Sequence, residues 1–262
     1  MEIRILGAHN CESQSTRCVC FIIDNSLAVE AGGITSVLSR KEQQELNAIL
    51  LTHQHYDHIR DIPGLALNFF QSGDSIDIYS TAEVFDVIDT HILNDRVYPR
   101  FQQLPEENPT IKFNIIEPLR SQWIDGHRIL PVPMNHCGET VGYEISDRQG
   151  NVVFYTADTG PELADCWKHI SPQLIISEVT LPNAAEEFAR KTGHLTPDLL
   201  EQELIEFREL KGSLPPVAVV HMDATQEAQI KREVDTVATD LEIRITVLRE
   251  GMRLSSENGF AA

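Results

Sequence analysis

The stretch Ala48-Ile-Leu-Leu-Thr-His-Gln-His-Tyr-Asp-His58 constrains this chain more than any other, because a short apolar run delivers three histidines and an aspartate within six positions. Ala48 to Thr52 has the length and aliphatic character of a buried strand. Side chains two apart on an extended chain share a side, so His53 and His55 can converge on one ion. Asp57 and His58 are adjacent and would diverge if the chain stayed extended, so using both requires a turn. Asp61 then serves as a candidate N-cap and Pro63 fits a first helical turn. Ile62, Leu65, Ala66, Phe69 and Phe70 recur at i, i+3, i+4, i+7 and i+8, which predicts an amphipathic helix packed on the core. The polar residues therefore sit between strand and helix. Scattered histidines would have no reason to gather at one strand exit in the order His-x-His-x-Asp-His, whereas a metal site does.

His53-x-His55-x-Asp57-His58 resembles the signature of the metallo-β-lactamase-fold hydrolases, and the resemblance runs through almost the whole chain. It implies an α/β fold, a four-layer αββα sandwich, with residues 1–262 forming a single hydrolase domain. It also implies that His136, Asp158 and His221, each at the end of an apolar run, complete two metal sites. In that family pattern His53, His55 and His136 hold the first ion, Asp57, His58 and His221 the second, and Asp158 bridges them. Imidazoles and carboxylates suit zinc, manganese or iron; zinc is the first expectation. Two ions about 3.5 to 4 Å apart can activate a water and stabilise both oxygens of an in-line displacement.

Length and charge narrow the classes. The chain has 262 residues, of which 42% are hydrophobic, enough to fill a large core. The opening Met1-Glu-Ile-Arg-Ile-Leu lacks a basic segment followed by a long apolar one, and no run approaches a membrane span, so a soluble, cytoplasmic protein is expected. Five cysteines, an odd number without a CxxC pair, suit reduced thiols. Cys137 beside His136 is set aside as a ligand because neighbouring side chains usually diverge. The formal charge of −19 argues against a large phosphate-binding footprint, so nucleic acid is a less favoured partner than a small molecule. A homodimer is kept open as the assembly.

Along the chain, Ile3 to Gly7, Cys18 to Asp24 and Leu27 to Ala31 read as strands, with His9 to Arg17 too long for a tight hairpin. That loop can overhang the site, which makes His9 a weak substrate-contact candidate. Glu30 occupies a position where many members of the resembled family carry Asp, and Gly32-Gly33 permit a tight exit. A helix from Thr35 to Leu46, a strand from Ser75 to Tyr79 and a helix from Thr81 to Leu93 follow. Asn94 to Pro109 is irregular and reads equally as a surface connection or a cap. Strands are expected at Ile111 to Ile116, His127 to Pro133, Thr140 to Ser146 and Asn151 to Thr156, the last pair joined by a hairpin-like turn at Gly150-Asn151. Metal-ligand candidates fall in both halves, which predicts two sheet-and-helix halves facing each other across one site.

The stretch that bears on substrate is Ser177-Glu-Val-Thr180 followed by Gly193-His-Leu-Thr-Pro197. It resembles the phosphodiesterase branch of the family, which includes class II 3′,5′-cyclic-nucleotide phosphodiesterases and ribonuclease Z-like tRNA 3′-processing endonucleases; the His-Leu-Thr-Pro form is more similar to the former. By that resemblance the catalytic residues are Asp57, His194, which contacts the phosphate or protonates the leaving oxygen, and Glu178, which orients His194. On the bland reading, Thr196 and Pro197 open a helix over Asp198 to Leu210 and His194 is merely nearby. The expected activity is hydrolysis of a small phosphodiester, first of all a 3′,5′-cyclic nucleotide. The tRNA endonuclease is the alternative, and another metallohydrolase or a di-iron redox or oxygen-binding protein of the same fold comes third.

Overall fold

The computed structural model describes residues 1–261. Its first half runs β1 (Glu2–Gly7), β2 (Cys20–Ile23), β3 (Leu27–Val29), β4 (Ala48–Leu50), β5 (Ile76–Ser80) and β6 (Ile111–Ile115). The second runs β7 (Gln122–Ile124), β8 (His127–Pro133), β9 (Val141–Ser146), β10 (Val152–Tyr155), β11 (Leu174–Glu178), β12 (Val217–Val220) and β13 (Ile245–Val247). A last strand, β14 (Arg253–Ser255), returns to pair with β1. Among the described residues these form two seven-stranded sheets, ordered β14-β1-β2-β3-β4-β5-β6 and β13-β12-β11-β10-β9-β8-β7. Within each, antiparallel pairing gives way to parallel pairing where helices provide the crossovers, at β3 to β6 and at β10 to β13.

Period-two alternation builds the layers. Ala48 and Leu50 point between the sheets, with Val153, Tyr155, Ala218 and Val220 opposite. Ile49 and Leu51 point outward onto the helix Ile62–Ser72, and Phe154, Ile175 and Val219 point outward onto the helices of the other half. Strands buried on both faces must be apolar throughout, and β4 and β12 are. The result is helix, sheet, sheet, helix, the expected αββα sandwich.

Several boundaries differ from expectation for identifiable reasons. The expected helix over Thr35 to Leu46 is two, Ile34–Val37 and Arg40–Gln44, because Leu38 is extended and Ser39 forms a capping box with Glu42 that restarts the helix. The helix after β5 starts at Ala82 as α and winds into a π segment over Ile88–Ile92. Asp61 stands at the N-cap position, but its carboxylate accepts from the Thr35 backbone N–H instead of its own helix. Phe70, expected on the buried face, is 42% exposed and lies against the Phe101 ring at 5.3 Å. That contact anchors Asn94 to Pro109 in the outer layer, where Gln102 also bonds to Asp89 and Leu93. Thr196 does cap the helix Pro197–Lys211 through the Leu199 N–H. No helix among the described residues is long and apolar enough to cross a membrane.

Candidate metal centre

The site lies where the strand ends of both sheets meet. After β4, Thr52 to His55 continue extended, and the short helix Tyr56–Ile59 supplies the turn that Asp57 and His58 need. Across the interface, His136 follows β8, Asp158 follows β10 and His221 follows β12. Three of the strand exits pass through left-handed non-glycine residues, Glu30 (φ 65°), Ala157 (φ 58°) and His221 (φ 65°). Such backbone costs on the order of 1 to 3 kcal/mol each and persists where surrounding packing dictates it, often at functional sites. Gly32, expected as a tight exit, is required for a different reason: a Cβ there would collide with the Asp57 carbonyl oxygen.

The seven candidate ligands converge. His53 Nε2, His58 Nε2, His136 Nε2 and His221 Nε2 stand 3.7, 3.4, 3.9 and 3.4 Å from Asp158 Oδ2. Asp57 Oδ2 is 3.2 Å from His221 Nε2 and 3.5 Å from His58 Nε2, and His55 Nδ1 is 3.1 Å from His136 Nε2. These approaches are close, yet His53 Nε2, His58 Nε2 and Asp158 Oδ1 are buried without a hydrogen-bond partner among the described residues. Buried polar atoms are almost always satisfied, so several orphans aimed at one space mark a place built for something else. Nitrogen and carboxylate donors in two adjoining groups fit divalent cations there.

Partners behind the ligands fix which nitrogen faces inward. Thr52 Oγ1 lies 2.9 Å from His53 Nδ1 and donates to Glu30 Oε1, and the same Glu30 oxygen is 3.1 Å from His58 Nδ1. In the other half, Thr180 Oγ1 lies 2.8 Å from His221 Nδ1 and donates to Glu178 Oε2. Gly193 O accepts from His136 Nδ1 at 2.8 Å. With Nδ1 of His53, His136 and His221 each hydrogen-bonded, their Nε2 is left for a cation, whereas His58 Nδ1 faces the Glu30 carboxylate without a hydrogen bond among the described residues. Sequence reasoning assigned no role to Thr52 or Thr180. Their signal is the short spacing to a ligand or to Glu178.

Glu178 is fully buried, and its Oε1 stands 2.9 Å from His194 Nδ1 while accepting from the Thr159 backbone N–H. His194 stacks on His221 with ring centroids 5.6 Å apart and keeps its side chain 16% exposed. Cys137 comes nearer than adjacency to His136 suggests: the chain turns at Gly138, and Sγ sits 3.4 Å from His55 Nε2. His9, the weak substrate-contact candidate, is buried and held by Glu250 Oε1 at 2.8 Å, which makes it part of the scaffold beneath the loop.

Burial and neighbouring charge divide the titrating groups. Burial pushes His53, His55 and His136 below the usual imidazole range, the state a ligand needs. Burial works the same way on His58 but is outweighed by the Asp158, Glu30 and Asp57 carboxylates, which hold it well above. Asp158 is held well below the carboxylate range despite its burial, chiefly by His221 and His58. His194 is likewise opposed by burial, yet Glu178 keeps it up at about 9.

Residues 21–222, which span all of these positions except His9 and Glu250, match the model of the beta-lactamase superfamily domain. The chain belongs to the beta-lactamase superfamily. The superfamily's hydrolytic metalloenzyme character agrees with the cluster of imidazoles and carboxylates. Among curated proteins no sequence matches the chain. Solved structures do: unliganded yeast PDE1 is 17% identical with a TM-score of 0.82, covering 96% of this chain and 98% of that one. The metallo-beta-lactamase fold protein YhfI from Bacillus subtilis is 19% identical with a TM-score of 0.74, covering 97% and 99%. The short form of human tRNase Z is 17% identical with a TM-score of 0.68, covering 97% and 99%. At these identities the likeness is one of fold.

Proposed function

We propose that this superfamily member is a dinuclear-metal phosphodiesterase that hydrolyses a small phosphodiester, with a 3′,5′-cyclic nucleotide as substrate and the nucleoside monophosphate as product. Residues 1–262 act as one hydrolase domain, in the cytoplasm, where unpaired thiols stay reduced. His53, His55 and His136 would hold one ion, Asp57, His58 and His221 the other, with Asp158 between them. Zinc suits a set dominated by imidazole; manganese and iron are the alternatives. Ions bound there supply Lewis-acid chemistry, acidifying a water and neutralising phosphoryl charge.

The observation that carries the phosphodiesterase reading is the Glu178–His194 pair at the open edge of the cluster. Glu178 holds His194 by Nδ1, leaving Nε2 as the proton-bearing atom toward substrate. As water attacks phosphorus and the ribose P–O bond breaks, His194 gives its proton to the departing oxygen. Asp57, 27% exposed, accepts a hydrogen bond from the attacking water and takes up its proton. Atoms balance: one water adds, one P–O bond opens and no other group leaves.

The tRNA 3′-endonuclease reading is favoured by the same Glu178–His194 pattern, and human tRNase Z shares the fold. The net charge of −19 weighs against gripping a polyanion, and the fold match to yeast PDE1 is the stronger of the two. A metal-reconstituted screen of cyclic nucleotides, linear phosphodiesters, tRNA precursors and lactones tests the reading. Fastest turnover of a cyclic nucleotide supports it, and preference for a lactone or precursor tRNA would overturn it.

A further inference from the structure

One carboxylate outside the candidate ligand set touches both loops that carry the first ion's ligands. Glu83 lies in the first turn of the helix Ala82–Val87, on the β5 side of the first half. Its Oε2 accepts from the Glu139 backbone N–H at 2.7 Å, just past His136 and Cys137. Its Oε1 accepts from Gln54 Nε2 at 3.3 Å, and Gln54 stands between His53 and His55. Gly138 packs so tightly on this carboxylate that an added Cβ would collide with both of its oxygens, and its φ of 49° is one that glycine adopts without cost.

The halves are already tied more deeply: the Val141 N–H donates to Thr52 O, and the Tyr143 hydroxyl donates to Leu51 O at 2.6 Å. Those bonds fix the strands. They do not fix the rim, where His55 and His136 approach each other from opposite halves with Nδ1 and Nε2 only 3.1 Å apart. His136 has its own anchor in Gly193 O, whereas the His55 ring faces Cys137 Sγ, which is itself on the loop that Glu83 holds.

The geometry points to Glu83 as a positioning residue that latches the Gln54 and Gly138-Glu139 loops together and so sets the separation of His55 and His136 for the first ion. It touches neither the ion nor the substrate. Partners that orient metal ligands in this way are worth about 10- to 100-fold in metal affinity. Glu83→Gln is predicted to preserve the role. The amide oxygen of that variant still accepts from the Glu139 N–H, and Gln54, whose Oε1 is buried without a partner among the described residues, can turn to accept from the new NH2.

This inference rests on the metal reading of the cluster, and the experiment separates the two. Chelator competition with Zn2+ or Co2+ is run on the full chain as wild type, Glu83→Ala and Glu83→Gln, alongside thermal melts and backbone hydrogen exchange over residues 137–140 of the metal-free protein. Expected for Glu83→Ala is a weakening of one ion by on the order of 10- to 100-fold, the other ion unchanged, and faster exchange in that loop, with Glu83→Gln near wild type. Equal ion affinities and equal exchange in wild type and Glu83→Ala, with only the melting temperature lowered, would make Glu83 a helix-terminus residue and overturn the inference. A wild type that binds no ion would overturn the metal reading beneath it, while the exchange result still reports on the latch.

Discussion

The two halves of the centre use the same device and end it differently. In the first, buried Glu30 holds His53 through Thr52 and faces His58 directly; in the second, buried Glu178 holds His221 through Thr180 and faces His194 directly. The divergence is in the last histidine. His58 is fully buried with Nε2 between Asp57 and Asp158, whereas His194 retains 16% exposure. A carboxylate-backed imidazole sealed among anions is committed to a cation, and the same unit opened to solvent is free to meet an anionic substrate. On the proposed function, placement of one ring thus separates a ligand from a proton donor.

The largest effect that can break this comparison is loss of the residue both halves share. Asp158→Asn should strip ions from the centre and reduce turnover by more than about 100-fold, beyond what an outer partner of a ligand costs. Metal analysis beside circular dichroism checks it; full occupancy with wild-type turnover would refute the bridging role. Next comes the relay threonine. Thr180→Val removes the acceptor for His221 Nδ1 while keeping volume, and should weaken ion affinity by about 10- to 100-fold, as should Thr52→Val on the opposite side. A loss at one threonine with none at the other would show that the halves are alike in geometry only.

Much of this arrangement is legible in the amino-acid order, and for a physical reason. Apolar strands end where hydrophobic patterning ends, so His53 and His55 announce themselves at a strand exit and β8 falls where its pattern places it, whereas His136, Asp158 and His221, though also after strands, are picked out only by the resemblance to the family order. The Thr196–Pro197 helix start is equally local. What patterning missed depends on approach through space. Strand β7 is three residues with polar Gln122 and exposed Trp123, and it exists by pairing with β8. Glu30 reaches Thr52 across 22 positions and Glu83 reaches Glu139 across 56, separations that carry no periodic signal.

The prediction remotest from turnover lies under the site, at His9. Burial lowers its pKa, but Glu250 and Glu227 overcome this and raise it above 6.5. Folding therefore favours protonated His9, and the stabilisation is fully present below about pH 6.5 and is lost as pH rises through the higher folded-state value. Glu250→Gln should cost about 1.5 to 3 kcal/mol at pH 6, the scale of a hydrogen bond to a charged group, and less at pH 9. Denaturant titrations at both values check it; an equal loss at both would assign the contact to packing.

The contrast between His58 and His194 is tested most directly by measuring His194→Ala on two substrates, a 3′,5′-cyclic nucleotide and a nitrophenyl phosphodiester, with metal content determined on the same samples. The predicted result is retention of the bound ions, a loss of about 10² to 10⁴ in rate on the cyclic nucleotide, whose ribose oxygen needs a proton to leave, and a much smaller loss on the nitrophenyl ester. Equal, small losses on both substrates, or loss of the ions, would contradict it and make His194 a helix-entry or ligand-shell residue.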